Sequence, residues 1–520
     1  MTVSAHPILT CDEARALEAK LFAGDEAREW PAMQRAGRAI AAAVQRDFEE
    51  VGGFPSGGRV LVLAGKGHNG GDALIAAHTL LTAFPAARVE VVFAFGERSL
   101  RPLAQRAWRE FSQVGGDRVS VVGQVADLAD AMRPTSGRAY SFDLCLDGVF
   151  GFQFRPPAEP RVAALLAAVN ALPIRLRAAV DLPSAGLFHA DFTYATGCVK
   201  TPVVGAVEAG RVRYLDLGFF NDVAGVADPG PGSTSPASNC VLTPQILAPL
   251  AALRSAQVDK RSHGHVFVVA GSRNFPGASL MTVRSALRSG VGLVTAFVPE
   301  SLVPAFAAAA PEAMWVGWPE TPGGGLALEG IHLLRERLER ATALLIGPGL
   351  GREAETLALA MEIAKESSVP LVIDADALQP DVVRAGKAPR VLTPHAGEFA
   401  RIEGEKLTDA TLVLKGPVTR IESRSGLRPD QGRSQTGPTY HSLFGGPVLA
   451  RGGSGDLLAG LIGGLLAQTP DEPLLAAARG VVWHGLAADA LARAHGQTAV
   501  QVTQLLDFLG PVLRESTNEQ

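Results

Sequence analysis

Short apolar runs alternate with longer stretches rich in alanine and leucine along both halves of the 520-residue chain. The short runs predict buried strands, and the longer stretches predict helices that cover a parallel sheet. The pattern therefore predicts an α/β protein with two tandem three-layer domains. The predicted strands are 60–63, 89–95, 144–146, 178–180 and 212–217 in the first half, and 266–270, 293–298, 343–346, 371–373 and 412–414 in the second.

A break in composition separates the two halves. Residues 225–239 are almost all Gly, Pro, Ser, Ala, Asp, Thr and Asn. Such a segment buries too little apolar surface to order itself. We therefore predict domains at 1–224 and 241–520, joined by a linker at 225–240.

Charge and cysteine usage narrow the class of protein. The net charge is −4, from 48 Lys and Arg against 52 Asp and Glu, so no basic surplus is available to neutralise a nucleic-acid backbone. Residues 1–20 lack the apolar core of a secretory signal, and no apolar run reaches membrane-spanning length. The four cysteines are scattered without C-x-x-C spacing. The composition predicts a cytoplasmic protein with free thiols and no zinc site, which binds neither nucleic acid nor membrane.

The segment 451–456 reads Arg-Gly-Gly-Ser-Gly-Asp and precedes an apolar run that extends to residue 467. Its glycines let backbone N–H groups approach a phosphate, and the helix start adds its positive dipole end. Asp456 is then placed to take a proton from a hydroxyl beside that phosphate. Alone, the segment equally describes a loop that ends in an N-cap aspartate.

Other candidate groups follow the predicted strands of the second half, where an open α/β sheet binds ligands. Glycine turns follow 266–270 and 343–346, and further along come Asp374, His395 and Lys415. Each feature alone also describes an ordinary turn or a hydrogen-bonded histidine. Their order is more specific than any single feature. The ordered segments are Lys260 with Gly264, Gly277-Ala278, 286–293, 347–351, 374–378, 393–398, Lys415-Gly416 with Thr419, and 452–456.

In this order the second half, over about 241–513, resembles the ADP-dependent NAD(P)H-hydrate dehydratases, a branch of the ribokinase-like fold. Such enzymes remove water from a hydrated nicotinamide ring and restore NADH or NADPH. The resemblance implies ADP, with ATP as the alternative, and Mg²⁺. It implies substrate contacts from Ala278, Gly349, Gly351, His395 and Asp456. It implies adenine-nucleotide contacts from Lys415, Gly416, Pro417, Val418, Thr419 and Gly455.

Hydroxide is a poor leaving group, so a nucleotide phosphate gives this reaction a plausible chemical route. The ring hydroxyl would be phosphorylated, and phosphate would then leave with help from the ring nitrogen lone pair. Asp456 would be the catalytic base. A ribokinase-like kinase of a small alcohol is the alternative. Departures from the family pattern, at 259–261, 445–447 and Arg451, flank the site.

In the first half, the glycines of segment 65–70 match a G-x-G-x-x-G turn after strand 60–63, with Glu90 about twenty residues further on. An ordinary dinucleotide-binding redox domain is one interpretation. However, Asn69 and Asp72 then place polar side chains where the helix of such a domain packs. Asp147 and Asp181 each follow an apolar strand, as an oxygen ligand or general acid would, although N-cap and turn aspartates occur there too.

Over about 9–220 this half instead resembles the NAD(P)H-hydrate epimerase domains, with a Rossmann-like fold. The resemblance depends on Met33, Ala36-Gly37, 68–72, Asp147 with Gly151, Asp181 with 183–184, and Lys200. It implies interconversion of the two hydrate epimers, with Asp181 catalytic. It implies a K⁺ ion held by Asn69, Asp147 and Ser184. It implies a substrate pocket lined by His68, Asn69, Gly70, Gly71, Asp72, Gly151, Phe152, Gln153, Phe154, Arg155, Pro156, Pro157 and Asp181.

Departures from the epimerase pattern are larger. His68 and Ala73 stand where the family has Asn and Gly, and the segments 151–153 and 184–186 also differ. Two interpretations follow, an active epimerase and a binding or oligomerisation module without catalysis. The resemblance also implies a homo-oligomer.

Overall fold

The computed structural model describes residues 3–123, 139–221, 239–405, 407, 409–424 and 436–515. The chain divides into two compact units. The first unit comprises His6–Thr234 with Ala492–Gln497, and the second comprises Met1–Ala5, Ser235–Leu491 and Thr498–Gln520. The predicted linker at 225–240 lies outside the described residues, apart from its last two, which begin a strand.

A parallel sheet forms the centre of the first unit. Its described strands are β2 (Arg59–Ala64), β3 (Arg88–Phe93), β4 (Val119–Val121), β5 (Phe142–Gly148), β6 (Ile174–Val180), β7 (Phe192–Thr196) and β9 (Arg211–Leu215). Their order across the sheet is β4–β3–β2–β5–β6–β7–β9, with every pair parallel. A short parallel pair joins Ile8 and Leu9 of β1 (Ala5–Leu9) to β8 (Val199–Lys200).

Helices cover both faces of this sheet, because successive strand residues point to opposite sides. Val60 and Val62 belong to one buried apolar cluster, and Leu61 and Leu63 belong to another. The first cluster includes residues of α2 (Glu26–Phe48), α3 (His68–Ala83) and α4 (Pro102–Gly115), and the second includes α5 (Pro160–Asn170). The predicted three-layer α/β fold is present. α1 (Cys11–Phe22) begins with a capping box between Thr10 and Glu13.

The second unit contains a larger, mostly parallel sheet. Its strands are β10 (Asn239–Leu242), β11 (His265–Val269), β12 (Leu293–Pro299), β13 (Met314–Trp318), β14 (Ala343–Ile346), β15 (Leu371–Ile373), β16 (Arg390–Leu392), β17 (Ala410–Leu414), β18 (Thr419–Arg424) and β19 (Thr436–Ser442). Their order is β13–β12–β11–β14–β15–β16–β17–β18–β19–β10. Only β18 runs antiparallel to its neighbours among these strands. Strands 343–346 and 371–373 have the predicted bounds.

Helices also flank this sheet. The described ones are α6 (Pro276–Arg288), α7 (Val303–Ala309), α8 (Ile331–Arg335), α9 (Ala354–Glu366), α10 (Pro380–Arg384), α11 (Ala396–Ile402), α12 (Ser454–Gln468), α13 (Pro473–His495) and α14 (Leu505–Glu515). α12 is apolar on all sides and buried from Leu457 to Ala467, packed against α6 and the strands β11, β14 and β15. A Cβ atom at Gly460 would lie 2.1 Å from the carbonyl oxygen of Thr282, so glycine permits the close approach of α6.

Among the described residues, no helix combines the length and the apolar character that crossing a membrane requires.

Candidate active sites

A cavity of about 390 Å³ lies in the first unit, beyond the carboxyl ends of β2, β5 and β6. Eleven of the thirteen residues predicted to contact substrate line it. These are His68, Asn69, Gly70, Asp72, Gly151, Phe152, Gln153, Phe154, Arg155, Pro157 and Asp181. Gly71 and Pro156 are not among the lining residues. A Cβ atom at Gly71 would lie 2.9 Å from Met33 Sδ, so this glycine lets α3 pack on α2.

Asp181 and Lys200 form a buried ion pair in the wall of this cavity. Lys200 Nζ lies 2.5 Å from Asp181 Oδ1, with the two side chains 1% and 4% exposed. Burial would lower the pKa of Lys200, but Asp181, together with Cys198 and Glu18, outweighs burial and raises it. Lys200 also donates to the carbonyl of Thr196. The lysine therefore fixes the Asp181 carboxyl group in the cavity wall, where that group can exchange a proton with a ligand.

The three predicted K⁺ ligands belong to one hydrogen-bonded network. Ser184 Oγ donates to Asp147 Oδ1 at 2.6 Å, and the Ser184 amide donates to Asp147 Oδ2 at 2.8 Å. Ser184 Oγ also accepts from the amide of Phe150, and Asn69 Nδ2 donates to the carbonyls of Phe150 and Val180. Burial raises the pKa of Asp147 to about 6, against the lowering effect of the Ser184 bonds. The network fixes three hard oxygen-bearing side chains around one loop.

Two further carboxyl groups face the cavity. Asp72 is 7% exposed, and its Oδ1 has no hydrogen-bond partner. Burial, followed by the Asp181 and Glu18 carboxylates, raises the pKa of Asp72 well above its ordinary value. Glu18 lines the same cavity from α1. We did not predict Glu18 from the sequence, although it falls one turn after the buried Ala14, on a face that an acidic residue rarely occupies.

In the second unit, Lys415 follows β17 and meets two carboxylates. Lys415 Nζ lies 3.0 Å from Asp374 Oδ1 and 3.9 Å from Glu398 Oε2. Thr393 Oγ1 donates to Asp374 Oδ1 at 2.7 Å. Burial opposes the charge on Lys415, but the Asp374 and Glu398 carboxylates outweigh burial and raise the pKa of Lys415. The Lys415 side chain remains 21% exposed, so its ammonium group can also meet an anionic ligand.

Asp456 lies in the first turn of α12, beside this lysine. Its N-cap, Gly453, has φ 91°, a conformation that favours glycine. A Cβ atom at Gly455 would lie 3.2 Å from Lys415 Nζ, which places the glycine turn against the ammonium group. Burial, followed by the Asp374 carboxylate, raises the pKa of Asp456 to about 6, while Lys415 opposes the shift. The arrangement joins a helix start, a cation and a carboxyl group poised near neutral pH.

The other predicted nucleotide contacts lie next to Lys415. Gly416, Pro417 and Val418 form the connection from β17 to the antiparallel strand β18, which Thr419 begins. Gly416 and Pro417 are exposed. The predicted set is therefore contiguous with the lysine and accessible to a ligand.

His395 caps α11. Its Nδ1 accepts hydrogen bonds from the amides of Gly397 and Glu398, and its own amide donates to the Glu398 carboxylate, which completes a capping box. The His395 side chain is 60% exposed, and its Nε2 lies 3.3 Å from Glu398 Oε1. Capping assigns Nδ1 as an acceptor, so the remaining ring edge is available for a ligand.

The glycine turn after β14 meets the start of α6. A Cβ atom at Gly349, which has φ 64°, would lie 2.8 Å from Ala278 Cβ. The amide of Gly351 donates to Asp376 Oδ2 at 3.1 Å. The structure thus brings together Ala278 and Gly349, while Asp376 holds Gly351 beside the carboxylates that surround Asp456.

Comparisons with known proteins agree with both halves of the chain. A family model described as NAD(P)H-hydrate dehydratase matches residues 266–510, and one described as YjeF-related protein N-terminus matches residues 31–206. A bifunctional NAD(P)H-hydrate repair enzyme Nnr of Moorella thermoacetica is 33% identical, with 94% of this chain and 93% of that protein covered. Its counterpart from Gloeobacter violaceus is 36% identical, with 96% of each covered. The chain belongs to the bifunctional NAD(P)H-hydrate repair enzyme family.

Solved structures also match the second half. An ADP/ATP-dependent NAD(P)H-hydrate dehydratase of Bacillus subtilis, co-crystallized with ATP/Mg²⁺, is 26% identical, with 53% of this chain and 97% of that chain covered and a TM-score of 0.44. A ribokinase-like superfamily protein of Enterococcus faecalis V583 is 28% identical, with 53% and 95% covered and a TM-score of 0.43.

The departures from the repair-enzyme pattern have distinct positions in the first unit. Ala73 is fully buried among the apolar residues of α3 and does not line the cavity, whereas His68 lines it and lies 3.3 Å from Glu29. Ala185 adopts φ 57°, in the left-handed region that glycine occupies without strain. The Glu90 carboxylate forms an ion pair with Arg59 at 2.5 Å. In a dinucleotide-binding redox domain, a carboxylate at this place would instead accept hydrogen bonds from the ribose.

A second residue that we did not predict supports the site of the second unit. His484 of α13 is 5% exposed and lies next to the backbone of Ser454 at the start of α12, while its Nε2 has no hydrogen-bond partner among the described residues. Burial lowers the pKa of His484 to about 4; the Ser454 backbone opposes this shift and Lys415 adds to it. The neutral ring therefore supports the turn that carries Asp456. Only the fold brings these positions together, because 30 residues separate them in the sequence.

Proposed function

We propose that the second unit dehydrates NAD(P)H hydrate with ADP, or ATP as the alternative, and that Asp456 is its base. The observation that carries the proposal is the position of Asp456 in the first turn of α12, beside Gly455 and the Lys415 ammonium group. A carboxyl group with a pKa of about 6 is mostly ionised at pH 7 and remains basic enough to accept a hydroxyl proton.

The side chains present fit an adenine nucleotide with Mg²⁺. Lys415 and the turn at 452–455 supply a cation and backbone N–H groups for phosphate, and residues 416–419 extend that surface. Within the described ranges, no three His, Cys, Asp or Glu side chains form a metal-binding group. Mg²⁺ that is bound through substrate phosphates needs only one or two carboxylates. Asp374, Asp376 and Glu398 lie near enough to Asp456 to raise its pKa, so such oxygens are at hand.

The proposed reaction balances as follows. Asp456 takes the proton of the ring hydroxyl while the hydroxyl oxygen attacks the terminal phosphorus of the nucleotide. The bond between that phosphorus and the rest of the nucleotide breaks. The carbon–oxygen bond then breaks with help from the nitrogen lone pair, and phosphate leaves. Loss of a proton from the adjacent ring carbon restores the dihydronicotinamide. The substrate contacts proposed for this unit are Ala278, Gly349, Gly351 and His395.

For the first unit we propose epimerisation of the hydrate, with Asp181 as the proton-transfer group. The buried pair with Lys200 supports this role, because it fixes the Asp181 carboxyl group in the cavity wall. Asn69, Asp147 and Ser184 would hold a K⁺ ion. Their amide, carboxylate and hydroxyl oxygens are hard ligands, and the shared loop at Phe150 joins them. The ion would supply positive charge beside the substrate cavity.

The boundaries at 1–224 and 241–520, the cytoplasmic location and the homo-oligomeric state remain predictions. The cysteine pattern supports the location and the family resemblance supports the oligomer. Gel filtration with light scattering tests the oligomer, since a monomeric mass of 54.2 kDa contradicts it.

Incubation of the full chain with hydrated NADH tests the proposed reaction. We expect the absorbance of dihydronicotinamide to recover only when ADP or ATP is present, with one phosphate released per NADH restored. A kinase of the ribokinase-like type would consume ATP without that recovery. Absence of recovery with both nucleotides would contradict the dehydratase assignment.

A further inference from the structure

We propose that Glu18 is the general acid of the first unit, which donates a proton to the substrate while Asp181 accepts one. The inference rests on the proposed epimerisation. It adds a residue of α1 to a site that the family resemblance builds from 68–72, 147–157 and 181–184. No hydrogen bond or ion pair of the Glu18 carboxyl group is present among the described residues, so the group is available to a ligand.

The position of Glu18 is the first argument. Besides the cavity of about 390 Å³, the first unit contains one of about 270 Å³, and Glu18 lines both. The two cavities also share His68, Asp72, Gln153 and Thr196. Apolar side chains such as Phe22, Met33 and Phe219 line the smaller one. Glu18 therefore lies where a ligand that spans both cavities passes from a polar to an apolar surface.

A second observation points to a ligand at the same place. Asp72 lines both cavities, is 7% exposed, and leaves Oδ1 without a hydrogen-bond partner. A buried oxygen of this kind costs about 1–3 kcal/mol unless a ligand or water satisfies it. A substrate that bears hydroxyl and amide groups supplies such a donor. Glu18 thus faces a region built to contact a polar molecule.

The surroundings of the two candidate carboxyl groups differ. Lys200 compensates the charge of Asp181 directly, at 2.5 Å. The pKa of Glu18 is raised to about 7, chiefly by burial; Lys200 opposes the shift, and the Asp181 and Glu29 carboxylates add to it. Near pH 7 Glu18 is therefore present in both its acid and its carboxylate form, so a proton is available on it, whereas Asp181 lies directly against the Lys200 ammonium group. In many active sites, two carboxyl groups in different environments take the roles of general acid and general base.

Epimerisation of the hydrate requires one proton acceptor and one proton donor. The hydroxyl carbon of the hydrate is bonded to the ring nitrogen, so its configuration inverts if the carbon–nitrogen bond opens and closes again. Asp181 takes the hydroxyl proton as the carbon–oxygen bond becomes a carbonyl. The carbon–nitrogen bond breaks with its electrons on nitrogen, and Glu18 gives nitrogen a proton. After rotation, nitrogen attacks the other face of the carbonyl, and both protons return.

The experiment follows one purified hydrate epimer of NADH with the full chain and no nucleotide, so that dehydration does not compete. We expect Glu18→Gln to slow epimerisation by about 100-fold or more, the usual lower contribution of a general acid. Glu18→Asp retains a carboxyl group and should recover part of the rate. Glu26→Gln, an exposed position of α2, should match the wild type. Denaturant unfolding followed by far-UV circular dichroism reports that the first unit of each variant has folded.

The pH profile separates catalysis from a structural role. In the wild type, epimerisation should fall above about pH 7 as Glu18 loses its proton, and Glu18→Gln should lack this limb. Besides Glu18, the charged or titratable side chains that line the two cavities are Arg15, Glu29, Lys66, His68, Asp72, Arg101, Arg155, Glu159, Asp181 and Lys200. Glu18→Gln with the wild-type rate, or with an unchanged alkaline limb, would overturn the role of Glu18. A wild-type chain that does not accelerate epimerisation would instead overturn the proposed function of the first unit.

Discussion

The candidate sites of the two units both contain an ion pair between an aspartate and a lysine. In each, a lysine meets a buried aspartate that follows a parallel strand, Asp181 with Lys200 and Asp374 with Lys415. In each, burial raises the pKa of a further carboxyl group, Glu18 or Asp456. The two sites therefore share a buried aspartate–lysine pair next to a carboxyl group whose pKa is raised.

The difference lies in the exposure of the lysine. The Lys200 side chain is 1% exposed and enclosed by its protein partners, whereas that of Lys415 is 21% exposed beside a glycine turn and a helix start. The enclosed Lys200 has its ammonium group hydrogen-bonded to Asp181 and to the carbonyl of Thr196. A partly open lysine can also bind phosphate. The same ion pair thus suits proton transfer in the first unit and phosphoryl chemistry in the second.

Asp456→Asn should give the largest effect. We expect dehydration to slow by about 10²–10⁴-fold, because the amide cannot take the hydroxyl proton. Nucleotide affinity, measured by calorimetry, should change little because Lys415 and the glycine turn remain. Epimerisation by the first unit should match the wild type. A variant that dehydrates the hydrate at the wild-type rate would contradict the role of Asp456.

Removal of each lysine should separate the two kinds of pair. Lys200→Met leaves Asp181 buried without its partner, which should cost the first unit about 3–5 kcal/mol in free energy of unfolding. Lys415→Met should cost about 1–3 kcal/mol, since Thr393 still donates to Asp374. It should also raise the KM for ADP at least tenfold. Denaturant unfolding and steady-state kinetics measure both, and an unchanged KM would remove the difference that exposure predicts.

The pH dependence of dehydration should follow Asp456. Its raised pKa of about 6 means that the carboxylate predominates at pH 7 and the acid predominates at pH 5. Since only the carboxylate accepts a proton, kcat should fall about tenfold between pH 7 and pH 5. The residual rate of Asp456→Asn should lack this limb. A wild-type profile that stays flat down to pH 5 is the opposing result.

The smallest expected effect concerns backbone strain, which both sites share. Ala185, next to Ser184, and Ala375, next to Asp374, have φ of 57° and 51°. A left-handed alanine costs about 1–2 kcal/mol, and glycine adds some unfolded-state entropy, so each Ala→Gly change should stabilise its unit by about 0.5–1 kcal/mol. Ala42→Gly in α2 should instead lose about 1 kcal/mol. If Ala185→Gly and Ala375→Gly both lowered the free energy of unfolding, the proposed backbone strain at these two positions would be contradicted.

Apolar runs predicted the strands because burial on both faces of a parallel sheet requires them. The bounds of β14 and β15 follow directly from that requirement. Contacts between residues that are distant in the sequence could not be predicted in the same way. Glu18 reaches the cavity from α1, and Lys200 approaches Asp181 from a different strand. Gly71 belonged to a motif that binds substrate by resemblance, yet its place is set by helix packing against Met33. Local sequence carries the elements, while long-range packing decides which side chains meet.

The central claim is a division of labour between the two units, and an equal mixture of both hydrate epimers tests it. With ADP present, the wild-type chain should convert the whole mixture to NADH. Asp181→Asn should convert about half at the normal rate and the remainder only at the spontaneous rate of epimerisation, while Asp456→Asn should convert almost none. Rapid and complete conversion by Asp181→Asn would contradict the account.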